Sequence, residues 1–289
     1  MGSRVFLVCG TTLMAFDLHA GTLLWEKKVP GLHVASATLQ AVPGGVLVPA
    51  DDVPIFNPAT GGLMRDVVPG VQVQGVAVQQ NTVLVLDSAG NVTAYGLDGR
   101  QLWRAAPPAA KGPQSQPAAV AFRGIDAASG GVAIAMEGIY WACSPAGSSV
   151  CLDNGTLQAV GLDLTSGHVR WVQAEGSTEP LAVDPTTGVA VEDTGLALSL
   201  TDGKQLWSLP VAGGAGYWVA PAAHAGFVAF DPLHDTLAVV STTGHTLATA
   251  AVPPPANPTL DVRSHLAVNG GFVAVVTESQ RLCMFTLKA

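Results

Sequence analysis

Short apolar runs rich in β-branched residues alternate with turn-forming residues along the chain. The run Val83–Leu86 is followed by the turn formers Asp87-Ser88-Ala89-Gly90, and Gly45–Val48 and Gly226–Ala229 are further runs of the same kind. Runs of this length, bounded by such residues, are typical of β-strands. The pattern therefore predicts an all-β protein.

One pair of these strands recurs along the sequence. In the segment Ala15–Trp25, a strand leads through a turn glycine to a second strand that ends in tryptophan. The frame returns three more times with the tryptophan and twice without it, with Arg65 and Ala248 in its place. The repeat tryptophans are Trp25, Trp103, Trp171 and Trp207, and the turn glycines are Gly21, Gly61, Gly99, Gly167, Gly203 and Gly244. Successive glycines are 40, 38, 68, 36 and 41 residues apart, so the long interval contains an insertion.

Four short strands in each period of about forty residues predict a β-propeller. We expect one domain over residues 1–289 with about seven four-stranded blades. Six or eight blades stay open, because the closing strand and the long interval are ambiguous. The first copy lacks an inner strand, and the last, at Cys283–Phe285, lacks an outer one. The tryptophans are expected to fill the space between neighbouring blades as structural residues.

The repeated copies resemble the PQQ-type propeller repeat, whose consensus runs roughly Ala-x-Asp-x-x-x-Gly-x-x-x-Trp. The family includes quinoprotein dehydrogenases, lipoprotein scaffolds of membrane assembly machines and sensor domains of bacterial membrane-bound kinases. Likeness to the dehydrogenases would imply PQQ with calcium, beside adjacent cysteines and a catalytic Asp. This sequence has no adjacent cysteines and is far shorter than those enzymes, so no cofactor is expected. The resemblance thus predicts the fold better than the function.

Composition and charge narrow the function classes. The net charge of −8 argues against binding to nucleic acid, and no signal peptide or membrane helix is predicted. Any membrane link is therefore expected to use a segment outside these residues. No nucleophile with a base, no His pair with a carboxylate and no phosphate-binding loop is found, so neither catalytic residues nor metal ligands are predicted. Asp231, His234 and Asp235 are interpreted as a solvated turn.

The long interval contains a hairpin loop near residues 138–156. Cys143 and Cys151, separated by seven residues that include Pro and Gly, are candidates for a disulfide that would indicate an oxidising compartment. Tyr140 and Trp141 are the candidate partner contacts, with packing at the base of the loop as the alternative. Cys9 and Cys283 lie in apolar strands and are expected to be buried.

A repeat without catalytic chemistry favours a non-catalytic, extracytoplasmic bacterial propeller. We expect it to act as a protein-interaction scaffold or as the ligand-sensing domain of a larger membrane protein. Its partner, a protein or a small ligand, is unidentified. The alternatives are a PQQ-dependent dehydrogenase-like enzyme and a surface binder of carbohydrate or host protein.

Overall fold

The computed structural model describes residues 4–32, 39–68, 73–87, 90–106, 119–128, 132–140, 157–175, 182–184, 186–192, 195–209, 218–222, 226–231, 234–252, 265–269, 272–276 and 282–286. These residues form twenty-six β-strands joined by turns and loops, and no helix occurs among them. The described part of the chain accordingly has no helix able to cross a membrane.

The strands form antiparallel sheets in which chain neighbours pair. The first sheet contains β1 (Arg4–Cys9), β2 (Thr12–Asp17) and β3 (Leu23–Lys28). The second contains β4 (Gln40–Val42), β5 (Gly45–Leu47), β6 (Pro54–Phe56) and β7 (Leu63–Asp66). The third contains β8 (Val73–Gln79), β9 (Thr82–Asp87), β10 (Val92–Gly96) and β11 (Gln101–Ala105). The fourth contains β12 (Ala119–Ala128), β13 (Val132–Tyr140), β14 (Leu157–Asp163) and β15 (Val169–Glu175).

The remaining sheets follow the same order along the chain. The fifth contains β16 (Ala182–Asp184), β17 (Val189–Val191), β18 (Leu196–Ser199) and β19 (Gln205–Ser208). The sixth contains β20 (Trp218–Ala222), β21 (Gly226–Asp231), β22 (Thr236–Val240) and β23 (Thr246–Ala251). The last contains β24 (His265–Asn269), β25 (Phe272–Val276) and β26 (Leu282–Thr286).

The architecture confirms an all-β propeller and corrects the predicted blade count. The first strands of consecutive sheets contact one another from β4 through β24, as expected for blades arranged around an axis. Five sheets have four strands, whereas the first and last have three among the described residues. The structure thus shows five four-stranded blades, not seven. The two end sheets are short because no described strand pairs with the free edge of β1 or of β26.

The hydrophobic core is divided into layers that lie between neighbouring sheets. In β9, Val83 and Val85 pack against the second sheet, while Leu84 and Leu86 pack against the fourth. Both faces of this strand are therefore buried. This explains why the sequence reads as a continuous apolar run rather than as an alternation of apolar and polar residues.

The turn between the last two strands of a sheet is stabilised by a polar side chain at its start. The carboxylate of Asp17 accepts hydrogen bonds from the backbone N–H groups of His19 and Ala20, at 2.9 and 2.8 Å. The turn closes when the N–H of Gly21 donates to the carbonyl of Asp17, at 2.9 Å. Gly21 has φ of 65°, a conformation that glycine adopts without strain. Asn57 and Asp163 start equivalent turns.

Candidate interaction surface

The four repeat tryptophans each join two neighbouring sheets. Each indole N–H donates to a backbone carbonyl in the turn of the next sheet along the chain. The four N···O distances are 3.2 Å from Trp25 to Pro58, 2.8 Å from Trp103 to Leu164, 2.9 Å from Trp171 to Leu200 and 2.8 Å from Trp207 to Thr242. The repeat position is therefore an inter-sheet tether in each case.

The turn glycine of the next sheet lies under each indole ring. A Cβ atom added at Gly167 would lie 2.5 Å from Trp103, and one added at Gly203 would lie 2.6 Å from Trp171. Gly61 and Gly244 have the same relationship to Trp25 and Trp207. These glycines thus serve two purposes: they adopt a positive φ, and they let the ring approach the backbone.

Arg65 replaces the tryptophan between the second and third sheets and keeps its hydrogen bond. Its Nη1 donates to the carbonyl of Leu97, at 3.1 Å, in the turn that contains Gly99. A guanidinium on a flexible chain fills less space than an indole, and the side chain of Arg65 borders an open groove shared with Asp98 and Arg100. The tether therefore depends on a donor aimed at the next turn rather than on tryptophan itself.

The sixth sheet differs from the first by one residue in the repeat frame. Val239 pairs with Ala248, as Ala15 pairs with Trp25, although Val239 lies five residues before its turn glycine and Ala15 lies six before its own. The turn in the sixth sheet is one residue shorter, since the N–H of Gly244 donates to Ser241, three residues before it. Turn length varies between copies, so glycine spacing alone misplaces the register.

A β-bulge occurs at one fixed position on the outer strands. Ala15 pairs with Trp25 while Phe16 pairs with Leu23, which leaves Leu24 unpaired in the register. The same shift occurs in the next five sheets, at the residue directly before the tryptophan position. The six bulge residues are Leu24, Met64, Leu102, Arg170, Leu206 and Leu247.

Five of these six bulge residues are apolar and exposed to solvent. Their exposed fractions are 44% for Leu24, 45% for Met64, 42% for Leu102, 49% for Leu206 and 59% for Leu247. Their neighbours Leu23 and Leu63, which are not bulge residues, are exposed as well, so the exposure reflects the position of these strands at the outer edge of their sheets. Sequence analysis missed this set, although its signal was present: the residue before the tryptophan position is Leu, Met or Arg in every copy.

Arg170, the polar member of the set, folds back onto its own turn. Its Nη2 lies 2.6 Å from Oδ2 of Asp163, and its Nε donates to the same oxygen at 3.1 Å. The hydrogen bonds from Arg170, then that from Ser166, lower the pKa of Asp163 to about 2. The fourth sheet therefore presents an ion pair where the other sheets present an apolar side chain.

Several predicted site residues are not placed by the structure. Tyr140 ends β13, while Trp141, Cys143 and Cys151 lie outside the described residues. The predicted disulfide and the predicted partner contact therefore stay predictions. Among the described residues, no three His, Cys, Asp or Glu side chains form a group able to hold a metal ion.

The structure also describes Asp231, His234 and Cys9, for which predictions were made from the sequence. Nδ1 of His234 lies 2.7 Å from Oδ2 of Asp231, and the backbone N–H of His234 donates to the other carboxylate oxygen, so Asp231 contacts both the side chain and the backbone of His234. Cys9 was expected to be buried and is instead exposed. It ends β1 directly before the turn at Gly10, where the strand leaves the sheet.

Antiparallel sheets around an axis, four of which carry the tryptophan of the repeat, define a PQQ-like β-propeller. A family model described as outer membrane protein assembly factor BamB matches residues 2–180 and 49–216. Together these matches cover well over half of the chain, and the chain belongs to this family. No curated protein matches it.

Solved structures share the fold at low sequence identity. BamB from Moraxella catarrhalis is 15% identical with a TM-score of 0.59, and the match covers 99% of this chain and 82% of that one. A chain in the crystal structure of the mitotic checkpoint complex is 14% identical with a TM-score of 0.68, over 99% and 84%. The computationally designed Ika8 protein is 15% identical with a TM-score of 0.58, over 99% and 94%. At these identities the likeness concerns the fold alone.

Proposed function

We propose that this chain is a non-catalytic, extracytoplasmic bacterial scaffold that binds proteins during outer membrane protein assembly. Membership in the BamB family supports a role in outer membrane protein assembly. The exposed apolar side chains on the outer strands support protein binding as the mode of action. In this proposal the tethers hold neighbouring blades rigidly against one another.

The observation that carries the proposal is the set of exposed apolar bulge residues on the outer strands. When a partner buries an exposed Leu, the core of this protein is unchanged. Each Å² of apolar surface removed from water contributes roughly 25 cal/mol of favourable free energy. Bulges at strand edges also hinder edge-to-edge pairing with other sheets. The outer strands therefore suit side-chain contacts with a partner protein.

Two other functions have weaker support. A PQQ-dependent enzyme needs a catalytic constellation, and the side chains of the described residues form tethers, turns and apolar layers instead. In the described part of the chain, a candidate location for ligand sensing is the open groove beside Arg65, Asp98 and Arg100. Its opposite charges lie on an open surface, which is a poorer basis for small-ligand affinity than an enclosed apolar pocket.

The proposal is tested with two triple variants on the same three outer strands, β11, β19 and β23. The test variant replaces the bulge residues Leu102, Leu206 and Leu247 by Ser. The control variant replaces the exposed polar residue directly before each of them, at Gln101, Gln205 and Thr246, by Ser. Tagged chains are recovered from the native bacterium, and co-purified envelope proteins are quantified by mass spectrometry.

We expect the bulge variant to lose its assembly partner and the control variant to keep it, with both chains equally folded. Equal recovery of outer membrane assembly proteins by the two variants would contradict the proposed contact surface. Loss of small-ligand binding on Arg65→Ala, with no protein partner in either case, would instead favour the sensing alternative.

A further inference from the structure

The interface between the second and third sheets differs from its neighbours because Arg65 stands in the tryptophan position. At the four interfaces with tryptophan, a Cβ atom added to the turn glycine would collide with the indole ring. At this interface, a Cβ atom added at Gly99 would instead meet the backbone carbonyl oxygen of Val67, at 3.1 Å. The guanidinium of Arg65 reaches the carbonyl of Leu97, and an open groove lies beside both groups. The groove therefore lies at the interface where the repeat lacks its ring.

The side chains that line this groove are mostly able to donate hydrogen bonds. Its volume is about 540 Å³, within the range of known binding clefts. Guanidinium, amide and hydroxyl groups from the two neighbouring sheets supply the donors, on Arg65, Asn81, Thr82 and Arg100. The apolar part of the lining comes from Leu97 and Leu102. The groove thus combines cationic donors with a small apolar wall.

The carboxylate of Asp98, which also lines the groove, is folded onto its own turn. Its Oδ1 accepts a hydrogen bond from the backbone N–H of Arg100, at 3.1 Å. A Cβ atom added at Gly96 would lie 2.5 Å from the same oxygen. Because one carboxylate faces two guanidinium groups, Asp98 balances only part of the positive charge of Arg65 and Arg100.

Arg65 and Arg100 are both exposed and keep donors for a ligand. Arg104, by contrast, lies 3.1 Å from Asp87 in an ion pair. Within the described part of the chain, no ion pair involves Arg65 or Arg100. A guanidinium has five N–H donors, and the tether to Leu97 uses one of those of Arg65. In a protein of net charge −8, the groove is thus a local site for an anionic group.

We propose that this groove binds an acidic side chain of a partner protein. The carboxylate pairs with the guanidinium groups of Arg65 and Arg100, and an adjacent apolar residue of the partner contacts Leu102. Guanidinium groups suit this role because two parallel N–H donors match the two oxygens of a carboxylate. The groove is open and adjoins a bulge residue, so it fits a segment of protein better than an isolated ion. The inference rests on the proposed function in one respect, that the occupant belongs to a protein.

The test follows the arginine Nε–H signals of the purified, ¹⁵N-labelled 289-residue chain by NMR. The probe is the peptide acetyl-Leu-Glu-Leu-Glu-Leu-amide, and the matched peptide with Gln in place of Glu is the ligand control. We expect the Glu peptide to shift the signals of Arg65 and Arg100, and the Gln peptide to bind about 10-fold more weakly because it lacks the charged hydrogen bonds. Succinate supplies carboxylates without the apolar contact to Leu102 and should bind about 10-fold more weakly than the Glu peptide.

A pair of arginine variants assigns the binding to the groove. Arg100→Gln removes one guanidinium and leaves the tether between Arg65 and Leu97 in place, so the two sheets keep this contact. Arg104→Gln is the matched control, because it removes the same charge from an exposed arginine that pairs with Asp87. We expect Arg100→Gln to weaken binding of the Glu peptide about 10-fold and Arg104→Gln to leave it unchanged.

The inference is overturned if the Glu peptide binds no more tightly than the Gln peptide, or if Arg100→Gln binds it as tightly as Arg104→Gln. Equal binding of succinate and the Glu peptide would also overturn it, since the site would then suit a small ligand and support the sensing alternative. None of these results involves Leu206 or Leu247, so the scaffold proposal keeps its own test. Conversely, peptide binding at the groove, with no effect of the triple bulge variant on partner recovery, would remove the proposed outer-strand surface and keep this site.

Discussion

Trp171 of the fourth sheet donates its indole N–H to the carbonyl of Leu200 in the fifth, at 2.9 Å, with its ring lying against Gly203. This contact combines burial of a large ring, a hydrogen bond and a close backbone approach between two sheets that share no backbone pairing. Because the same arrangement recurs around the propeller, its energetics determine how firmly the blades are held together.

Trp171→Ala is expected to lower the free energy of unfolding by about 3–5 kcal/mol, since the ring is largely buried and leaves a cavity. Trp171→Phe keeps most of the burial and leaves the Leu200 carbonyl without its indole donor, so we expect a smaller loss of about 1–2 kcal/mol. Urea denaturation measures both. Equal losses for the two variants would contradict a role for the hydrogen bond in the tether.

Gly203→Ala is expected to destabilise the protein by more than about 2 kcal/mol. The new methyl group would be strained at φ of 71° and would also collide with the Trp171 ring. Gly44→Ala, at φ of 76° with open space around it, isolates the backbone strain at about 1 kcal/mol. The same unfolding assay on both variants measures the ring contact as the difference. A difference near zero would show that the ring moves aside freely.

Arg65→Ala is expected to cost less than Trp103→Ala in the free energy of unfolding. Arg65 is exposed and contributes one hydrogen bond to Leu97, worth about 1 kcal/mol, whereas Trp103 is buried and worth about 3–5 kcal/mol. Thermal unfolding of the two variants under the same conditions tests this order. The reverse order would mean that the second and third sheets depend on Arg65 more than the geometry indicates.

Asp163→Asn is expected to change how stability depends on pH. The hydrogen bonds from Arg170 and Ser166 lower the pKa of Asp163 to about 2, from its ordinary 3.8. A carboxyl whose pKa is lowered on folding stabilises the fold above pH 3.8, and this contribution is lost as the pH falls towards 2. The stability gap between wild type and variant should therefore shrink across that window. Because the pair is solvent-screened, the gap stays below about 1 kcal/mol.

Urea midpoints at about pH 6 and about pH 2.5 measure the gap. Arg170→Gln provides the control, since it removes the partner and keeps the carboxyl, and it should flatten the same part of the profile. A gap that widens on acidification would contradict the lowered pKa.

The sequence predicted the propeller and its tethers because both depend on local, repeated residues. Each tryptophan follows its own turn glycine by four residues, so the frame is visible without knowledge of which sheets are neighbours. The pairing of Trp171 with Leu200 was not predictable in detail, since it joins different copies. Turn length is set by hydrogen bonds within each turn, so the strand register at Val239 could not be derived from the position of Gly244 alone.

The exposed bulge residues were missed for a different physical reason. Leu24 and Trp25 are adjacent apolar residues on one strand, and a regular strand would direct them to opposite, equally buried faces. Leu24 is exposed because its strand is the outermost of the sheet, where Leu23 is exposed as well, and the recurring Leu, Met or Arg before the tryptophan position does not by itself indicate exposure. The number of four-stranded blades was overestimated because the prediction counted copies of the repeat. The first and last copies form sheets of only three strands among the described residues.

We propose that the outer strands bind a protein partner through their bulge residues, and site-specific photo-cross-linking in living cells tests this most directly. A photoreactive residue at Leu206 should cross-link to an outer membrane assembly protein, while one at the neighbouring exposed Gln205 should give much less of the same product. Equal products from both positions, or a product from neither, would contradict the claim.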